Sequence, residues 1–192
     1  MPTALTHAFA GAALAKVLAT AKDRNPLGHS GGSLRYPLIA GFCSVFPDID
    51  ALTFWIPDLR GSLWIHRGLT HSIPFALLFS FSVALFAFYR RRPFSKSWIK
   101  VWAVLFVATA SHGLLDTLTD GGAGIALLAP FSDERFFCPW RPIICSPITL
   151  KPVLFFKAGG AYVIASEIIF VWLPLSLLYV AASRWRARAA RE

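Results

Sequence analysis

Four of the chain's five histidines stand, with several aspartates, in stretches that otherwise read as membrane. These are Thr6-His7, Pro47-Asp48-Ile49-Asp50, His66-Arg67-Gly68-Leu69-Thr70-His71 and Ser111-His112-Gly113-Leu114-Leu115-Asp116. A carboxylate in hydrocarbon costs several kcal/mol, about 2.5–3.5 for Asp on insertion scales, so such residues are usually kept for a functional reason. His with Asp is also the donor set that holds zinc and related hydrolytic metals. The chemistry to expect is that of a metal centre built into a membrane.

Each residue has a chemical and a bland reading. His112 and Asp116 are four apart and share one helix face, so they can ligate one metal, or two if the carboxylate bridges; the bland alternative is a hydrogen-bonded pair. His66 and His71 flank a glycine and precede Ser72-Ile73-Pro74, a helix start with a capping hydroxyl and an early proline. One is expected to ligate, His66 the stronger candidate, and the other to bond substrate or orient a ligand. Asp48 and Asp50 would diverge on a regular helix, but Pro47 points to irregular backbone. One is expected to bind metal and the other to act as general base or bridge, so Asp50, Asp48 and His71 are the catalytic candidates. His7 is raised by its place at the start of the first apolar stretch. Glu167 is a weaker ligand candidate, or a partner to a ligating histidine, and His29 reads as solvated.

The elements that must position these groups follow from hydropathy. The chain of 192 residues is 56% hydrophobic and only 15% charged, with mean hydropathy +0.57; a soluble domain carries about a quarter charged residues. The expectation is an all-α, polytopic transmembrane bundle forming a single integral membrane domain, 1–192. Helices are expected at about Leu5–Ala21, Tyr36–Phe46, Ile73–Tyr89, Trp98–Leu118 and Ala161–Ala182. Only the last two reach the ~20 residues that cross a bilayer comfortably, so some of the five are short or broken. Ala123–Pro130 reads as an interfacial segment. The net charge of +9 sits beside apolar segments, which suits membrane orientation better than nucleic acid.

Twelve basic residues (Lys22, Arg24, Arg35, Arg90, Arg91, Arg92, Lys96, Lys100, Arg184, Arg186, Arg188, Arg191) fall in alternate connections. Six (Arg60, Arg67, Arg135, Arg141, Lys151, Lys157) fall in the opposite ones, and Lys16 lies within the first helix. The positive-inside rule then places the amino terminus outside and the carboxyl terminus in the cytoplasm. Although this assignment ignores the histidines, it puts every candidate ligand at one depth near the outer face. Among the outer basic residues, Arg67, Arg135 and Arg141 are candidates for binding phosphate through forked hydrogen bonds. The stretch from Pro130 to Pro142 mixes arginines with aromatics and prolines, and reads equally as a headgroup-gripping lid or an anchored belt loop. Cys138 and Cys145 bracket part of it, and whether they bridge stays open, since spacing alone does not bring the α-carbons within ~7 Å.

These motifs together resemble the bacterial family of membrane-bound metal-dependent hydrolases, some described as LexA-regulated. The resemblance rests on Thr6-His7, Pro47-Asp48-Ile49-Asp50, the His66-to-Ser72 stretch, His112-Gly113-Leu114-Leu115-Asp116 and the Phe131-to-Pro142 stretch, and covers nearly the whole chain. That family is distantly similar to zinc-dependent phospholipase C and the fungal single-strand nucleases. The resemblance implies His7, Asp48 or Asp50, His66, His112 and Asp116 as ligands. The chain lacks both the amino-terminal Trp ligand of those secreted enzymes and a second His-x-x-x-Asp or His-x-x-x-Glu pair. One or two ions, zinc or another divalent metal such as manganese, are therefore expected rather than three.

The function expected is hydrolysis of a membrane-lipid phosphoester at the outer leaflet of a bacterial inner membrane by a metal-activated water. The alternatives are hydrolysis of another lipid bond, amide or ester, and a non-enzymatic metal transporter or sensor. The lipid, the native metal and the oligomeric state are not legible in the sequence.

Overall fold

The computed structural model describes residues 1–18, 34–55, 65–147 and 151–191. The end of the first expected helix, His29, Lys22, Arg24 and Arg60 lie outside the described residues. The described chain is helical, with isolated bridges (Thr119 to Ile143, Ile125 to Phe136) in place of strands.

Helix α1 spans Ala4–Leu18 and α2 spans Arg35–Val45. The two pack closely because small residues face each other, the usual device where helices meet in lipid. A Cβ on Gly11 would lie 2.5 Å from the Ala40 carbonyl oxygen, and one on Gly41 would lie 3.0 Å from that of Ala8. Past Val45 the backbone tightens into a 3₁₀ segment, Phe46–Trp55, which carries Asp48 and Asp50. The irregular backbone expected after Pro47 takes this form.

A short 3₁₀ turn, Leu69–His71, leads into α3, Ile73–Ala87. The Ser72 hydroxyl accepts from Phe75 N at 3.1 Å and Pro74 sits in the first turn, so the start expected from the sequence is the observed one. Helix α4 spans Lys96–Thr117 and is capped by Ser95, whose hydroxyl accepts from Trp98 N at 3.3 Å. It packs on α1, α2 and α3.

Residues 118–147 form an irregular cover over one end of α4. Ile143 N donates to Leu118 O, Cys138 N to Thr117 O, and Ala126 N to Arg67 O. The segment Ala123–Pro130 was expected at an interface. Within it Ile125, Ala126 and Ala129 are buried against the protein, because the Ile125–Phe136 backbone pair folds them inward.

A short helix α5 (Pro152–Lys157), absent from the sequence expectation, precedes a rod made of α6 (Gly160–Glu167), a π-helical turn (Ile168–Trp172) and α7 (Leu173–Ala189). Among the described residues two helices, α4 and the 30-residue rod Gly160–Ala189, are long and apolar enough to cross a bilayer. Helices α1 and α3, at 15 residues each, rise only about 22 Å. Large apolar side chains such as Leu38, Phe86, Leu78 and Leu177 are mostly exposed. That is a surface suited to lipid rather than water.

The larger apolar cluster lies toward one end of the bundle, where Trp98, Val101, Leu105 and Ala108 of α4 meet Tyr36, Ala40, Ala84 and Phe88; a smaller one of Ala10, Ile143 and Val171 packs on Leu115 and Leu118. All the polar candidates lie toward the other end.

Candidate metal centre

The site forms where elements stop short. Helix α2 ends at Val45 and α3 begins at Ile73, so α4 alone continues, and the space beside its last turns is filled by the two 3₁₀ segments and the start of α1. Gly113 makes this possible, since a Cβ there would come 2.4 Å from the His71 carbonyl oxygen. His7, Asp50, His71, His112 and Asp116 are buried, while Asp48 and His66 are partly so. Two groups gather ligand atoms within 4.8 Å of one another: Asp48, Asp50, His66 and His71, and His7, His112 and Asp116.

Hydrogen bonds divide these residues into two kinds. Asp50 is saturated. Its Oδ1 accepts from His66 Nδ1 at 2.7 Å, and its Oδ2 accepts from Thr70 Oγ1 at 2.5 Å and Arg67 N at 3.2 Å, with His71 Nδ1 at 3.0 Å. A carboxylate only accepts, so His66 and His71 present their Nδ1 protons to it. Burial raises the Asp50 pKa, but the bonds from His66 and His71 outweigh it and hold the carboxyl down at about 2.

His112 Nδ1 donates to the Ser44 carbonyl at 2.7 Å. The Nε2 atoms of His112 and His71 therefore face each other, 2.9 Å apart. Two lone pairs at that distance repel unless a cation or a proton lies between them. Burial lowers the His71 pKa, but Asp48, Asp50 and Asp116 outweigh it and push it up to about 9. A proton between the two rings would bridge that one contact.

It does not settle the rest. Both oxygens of Asp48, both of Asp116 and both ring nitrogens of His7 are buried without a hydrogen-bond partner among the described residues. Asp48 Oδ1 stands 3.3 Å from His112 Nε2 and 3.6 Å from His71 Nε2. Asp116 Oδ1 stands 3.4 Å from His7 Nε2, and its Oδ2 stands 3.6 Å from His71 Nε2. The His7 ring stacks on that of His112, centroids 3.8 Å apart. Unpartnered buried carboxylates are costly, and this donor set at these spacings fits a divalent cation. His7, Asp48, His71, His112 and Asp116 have the donor atoms to hold it; Asp50 is spent on holding histidines.

Other sequence candidates fall elsewhere. Glu167 is buried but joins neither group, because it accepts from Thr3 N at 2.5 Å, Thr3 Oγ1 at 2.8 Å and Thr6 Oγ1 at 2.7 Å. Trp172 Nε1 donates to the same Thr6 hydroxyl at 2.7 Å. Glu167 therefore ties the rod to the first turn of α1, one residue from His7.

Arg67 is drawn into the site: Nε lies 3.4 Å from Asp116 Oδ2, Nη1 donates to Gly121 O at 2.6 Å and Nη2 to Thr119 Oγ1 at 3.2 Å. Arg135 is exposed and donates to the carbonyls of Arg67 and Gly124. Arg141 is also exposed, stacked on Phe137. Cys138 and Cys145 are free thiols.

Sequence reasoning missed Thr70, whose hydroxyl beside His71 was a usable signal, and the Ser44 carbonyl, which as a backbone group leaves none.

Residues 1–190 match the family described as YdjM inner membrane protein. Inner membrane protein YbcI of Escherichia coli (strain K12) is 38% identical over 193 residues, covering 98% of this chain and 100% of that protein. No solved structure matches the chain. A match over almost the entire length, with a relative of equal span, settles the family: the chain belongs to the YdjM family of inner membrane proteins.

Proposed function

We propose that the chain is a membrane-embedded, metal-dependent hydrolase that cleaves a phosphoester of a membrane lipid at the outer leaflet. The observation that carries this is the pair Asp48 and Asp116, whose carboxylate oxygens are buried without a hydrogen-bond partner among the described residues, standing among three histidines. The resemblance to membrane-bound metal-dependent hydrolases, LexA-regulated ones among them, points the same way.

In this reading His7, Asp48, His71, His112 and Asp116 hold one or two ions, zinc being the metal such donors suit best. Bound there, the metal would supply a hydroxide at neutral pH and neutralise phosphoryl oxygens. Asp50 orients His71 through its Nδ1 proton, a standard way of fixing the tautomer of a ligating histidine, and holds His66, which stands outside this ligand set, by the same kind of bond. Water adds to phosphorus, the ester P–O bond breaks, and the departing oxygen takes a proton. The site lies at the end of the bundle, where a lipid can arrive sideways.

The topology that goes with this is five crossings, α1, α2, α3, α4 and the α6–α7 rod, with the amino terminus outside. It is supported by the cluster of Arg184, Arg186, Arg188 and Arg191 at the far end of the rod, where Arg186 Nη1 donates to the Val17 carbonyl at the end of α1. The apolar core of Trp98, Val101, Leu105 and Ala108 fills the other half of the bundle.

The test is turnover by the purified full chain in nanodiscs, with and without chelator, on phospholipids, sphingolipids and isoprenoid phosphates. Chelator-sensitive release of a phosphorylated or dephosphorylated product is expected. Chelator-sensitive cleavage of an acyl ester or amide alone would move the reading to that bond. Metal passage across vesicles without any turnover would overturn it. Labelling of cysteines placed at Ser95 and Ser132 should reach only the second from outside; the reverse would put the site in the cytoplasm.

A further inference from the structure

Helix α1 meets α2 through glycine and alanine, backbone against backbone, but it meets α7 across a gap. The gap is a cavity of about 240 Å³, walled by Ala12, Ala13 and Lys16 of α1 and by Leu175, Ser176 and Tyr179 of α7. None of the candidate metal ligands lines it. Short side chains at Ala12, Ala13 and Ser176 leave the space. A void with mostly apolar walls is a poor site for water, and left empty it forfeits packing contacts. In a bilayer the group at hand to fill it is a lipid chain.

The groove has two unlike ends. Phe9, which also lines it, stacks on Trp172 of the π-helical turn, centroids 4.9 Å apart. That pair stands two helical turns, about 10 Å, along α1 from Lys16. At the Lys16 end the ammonium lies over the ring of Tyr179, 5.8 Å from its centroid. Both residues line the groove, so the positive charge is carried at the cavity itself. An ionisable residue within a membrane helix is by default a mark of function.

Further cations gather at the same end. Val180 is another wall residue, and Arg184, four residues on and exposed, shares its face of α7. Arg186 is occupied in joining the helices: Nε donates to Ala182 O at 3.0 Å, Nη1 to Val17 O at 3.2 Å and Nη2 to Lys16 O at 3.4 Å. It holds the end of α1 against α7 and adds its charge there. Neither helix contains an Asp or Glu.

We infer that this groove binds one phospholipid with a net-negative head, its acyl chain lying between α1 and α7 and its phosphate at the Lys16 end. The apolar walls and the lysine then serve one ligand, which neither an inorganic anion nor an uncharged hydrocarbon would use in full. A choline or ethanolamine lipid fits the walls equally, but it brings an ammonium group to Lys16, Arg184 and Arg186. Basic pockets between membrane helices on the cytoplasmic side suit anionic heads for this reason. The leaflet is the cytoplasmic one in the topology proposed above, but the binding itself depends neither on that topology nor on the metal.

The experiment is native mass spectrometry of the full chain released from detergent micelles, titrated with phosphatidylglycerol and, separately, with phosphatidylcholine of the same chains. One phosphatidylglycerol per chain should be retained, more tightly than phosphatidylcholine. Lys16→Gln should weaken that retention roughly fivefold, the worth of one basic residue beside an anionic head. Ser176→Phe, at an exposed wall position, keeps every charge and puts a ring where the chain would lie. It should weaken retention at least as much, and it carries the test if Lys16→Gln fails to insert. Arg90→Gln removes one exposed cation between α3 and α4, away from the groove, and should leave retention unchanged.

Retention equal in wild type and Ser176→Phe, or weakened as much by Arg90→Gln as by Lys16→Gln, would make the effect one of diffuse charge and overturn the site. Phosphatidylcholine held as tightly as phosphatidylglycerol would overturn the choice of head. A lipid-free dimer of wild type that Ser176→Phe abolishes would assign the groove to a second copy of the chain and overturn the lipid.

Discussion

Between Trp98 and Ala108, α4 buries tryptophan, valine, leucine and alanine against the neighbouring helices; from Thr109 to Asp116 the same helix buries a threonine, a histidine and a carboxylate. The first half is closed by helix packing alone, with Trp98 Nε1 donating to the Ala84 carbonyl. The second half meets the end of α2, two 3₁₀ segments, the start of α1 and the irregular cover rather than a continuing α2 or α3. Polarity is thus concentrated where regular helices end and backbone can bend to aim a side chain. The apolar half is closed by packing, whereas the polar half holds carboxylate oxygens that no hydrogen bond among the described residues satisfies.

If that contrast holds, the two halves answer differently to truncation. Asp116→Ala or His112→Ala should abolish bound metal while the protein still inserts, as read by elemental analysis of purified protein. Leu105→Ala should instead cost about 2–5 kcal/mol of stability and leave metal content unchanged. Metal retained in both polar variants would break the comparison.

The polar half itself divides between Asp48 and Asp50, and a second experiment sharpens that division. Asp48→Asn removes a carboxylate with no hydrogen-bond partner and should lose the metal outright. Asp50→Asn keeps every proposed ligand but sets an amide donor against His66 or His71 Nδ1–H. Metal affinity should fall by about 10–100-fold, the range for loss of a group that orients a ligating histidine. Equal losses in the two variants would make Asp50 a ligand.

The membership of this site was legible in the sequence, because an aspartate or histidine inside an apolar run stands out against its neighbours. Their roles were not. Asp48 and Asp50 differ in nothing a sequence displays, and only the tertiary bonds from His66, Thr70 and Arg67 mark Asp50 as saturated. The same blindness applies to Glu167, whose partners Thr3 and Thr6 lie more than 160 residues away, and to Arg135 and Arg141, which chemistry nominated and folding left exposed. The helix start at Ser72 was readable from local capping alone. The inward fold of Ile125 to Ala129 was not, since it depends on pairing with Phe136.

The smallest effect expected is at Glu167, and it tests whether the polar half is held in place from a distance. His7 has no ring hydrogen bond among the described residues; its pose comes from stacking on His112 and from where α1 begins. That beginning is tied to the rod by Glu167, with Trp172 on the π-helical turn bonding the same Thr6 hydroxyl. Glu167→Gln keeps one acceptor oxygen and loses the charge that strengthens its bonds. It should lower metal affinity by roughly tenfold or less, and it should alter the visible spectrum of the cobalt-substituted protein as His7 shifts. Thr6→Val removes the shared hydroxyl at constant shape and should give the same spectral change, with little added by combining the two substitutions. An unaltered cobalt spectrum in Glu167→Gln would mean that α1 holds His7 without the rod.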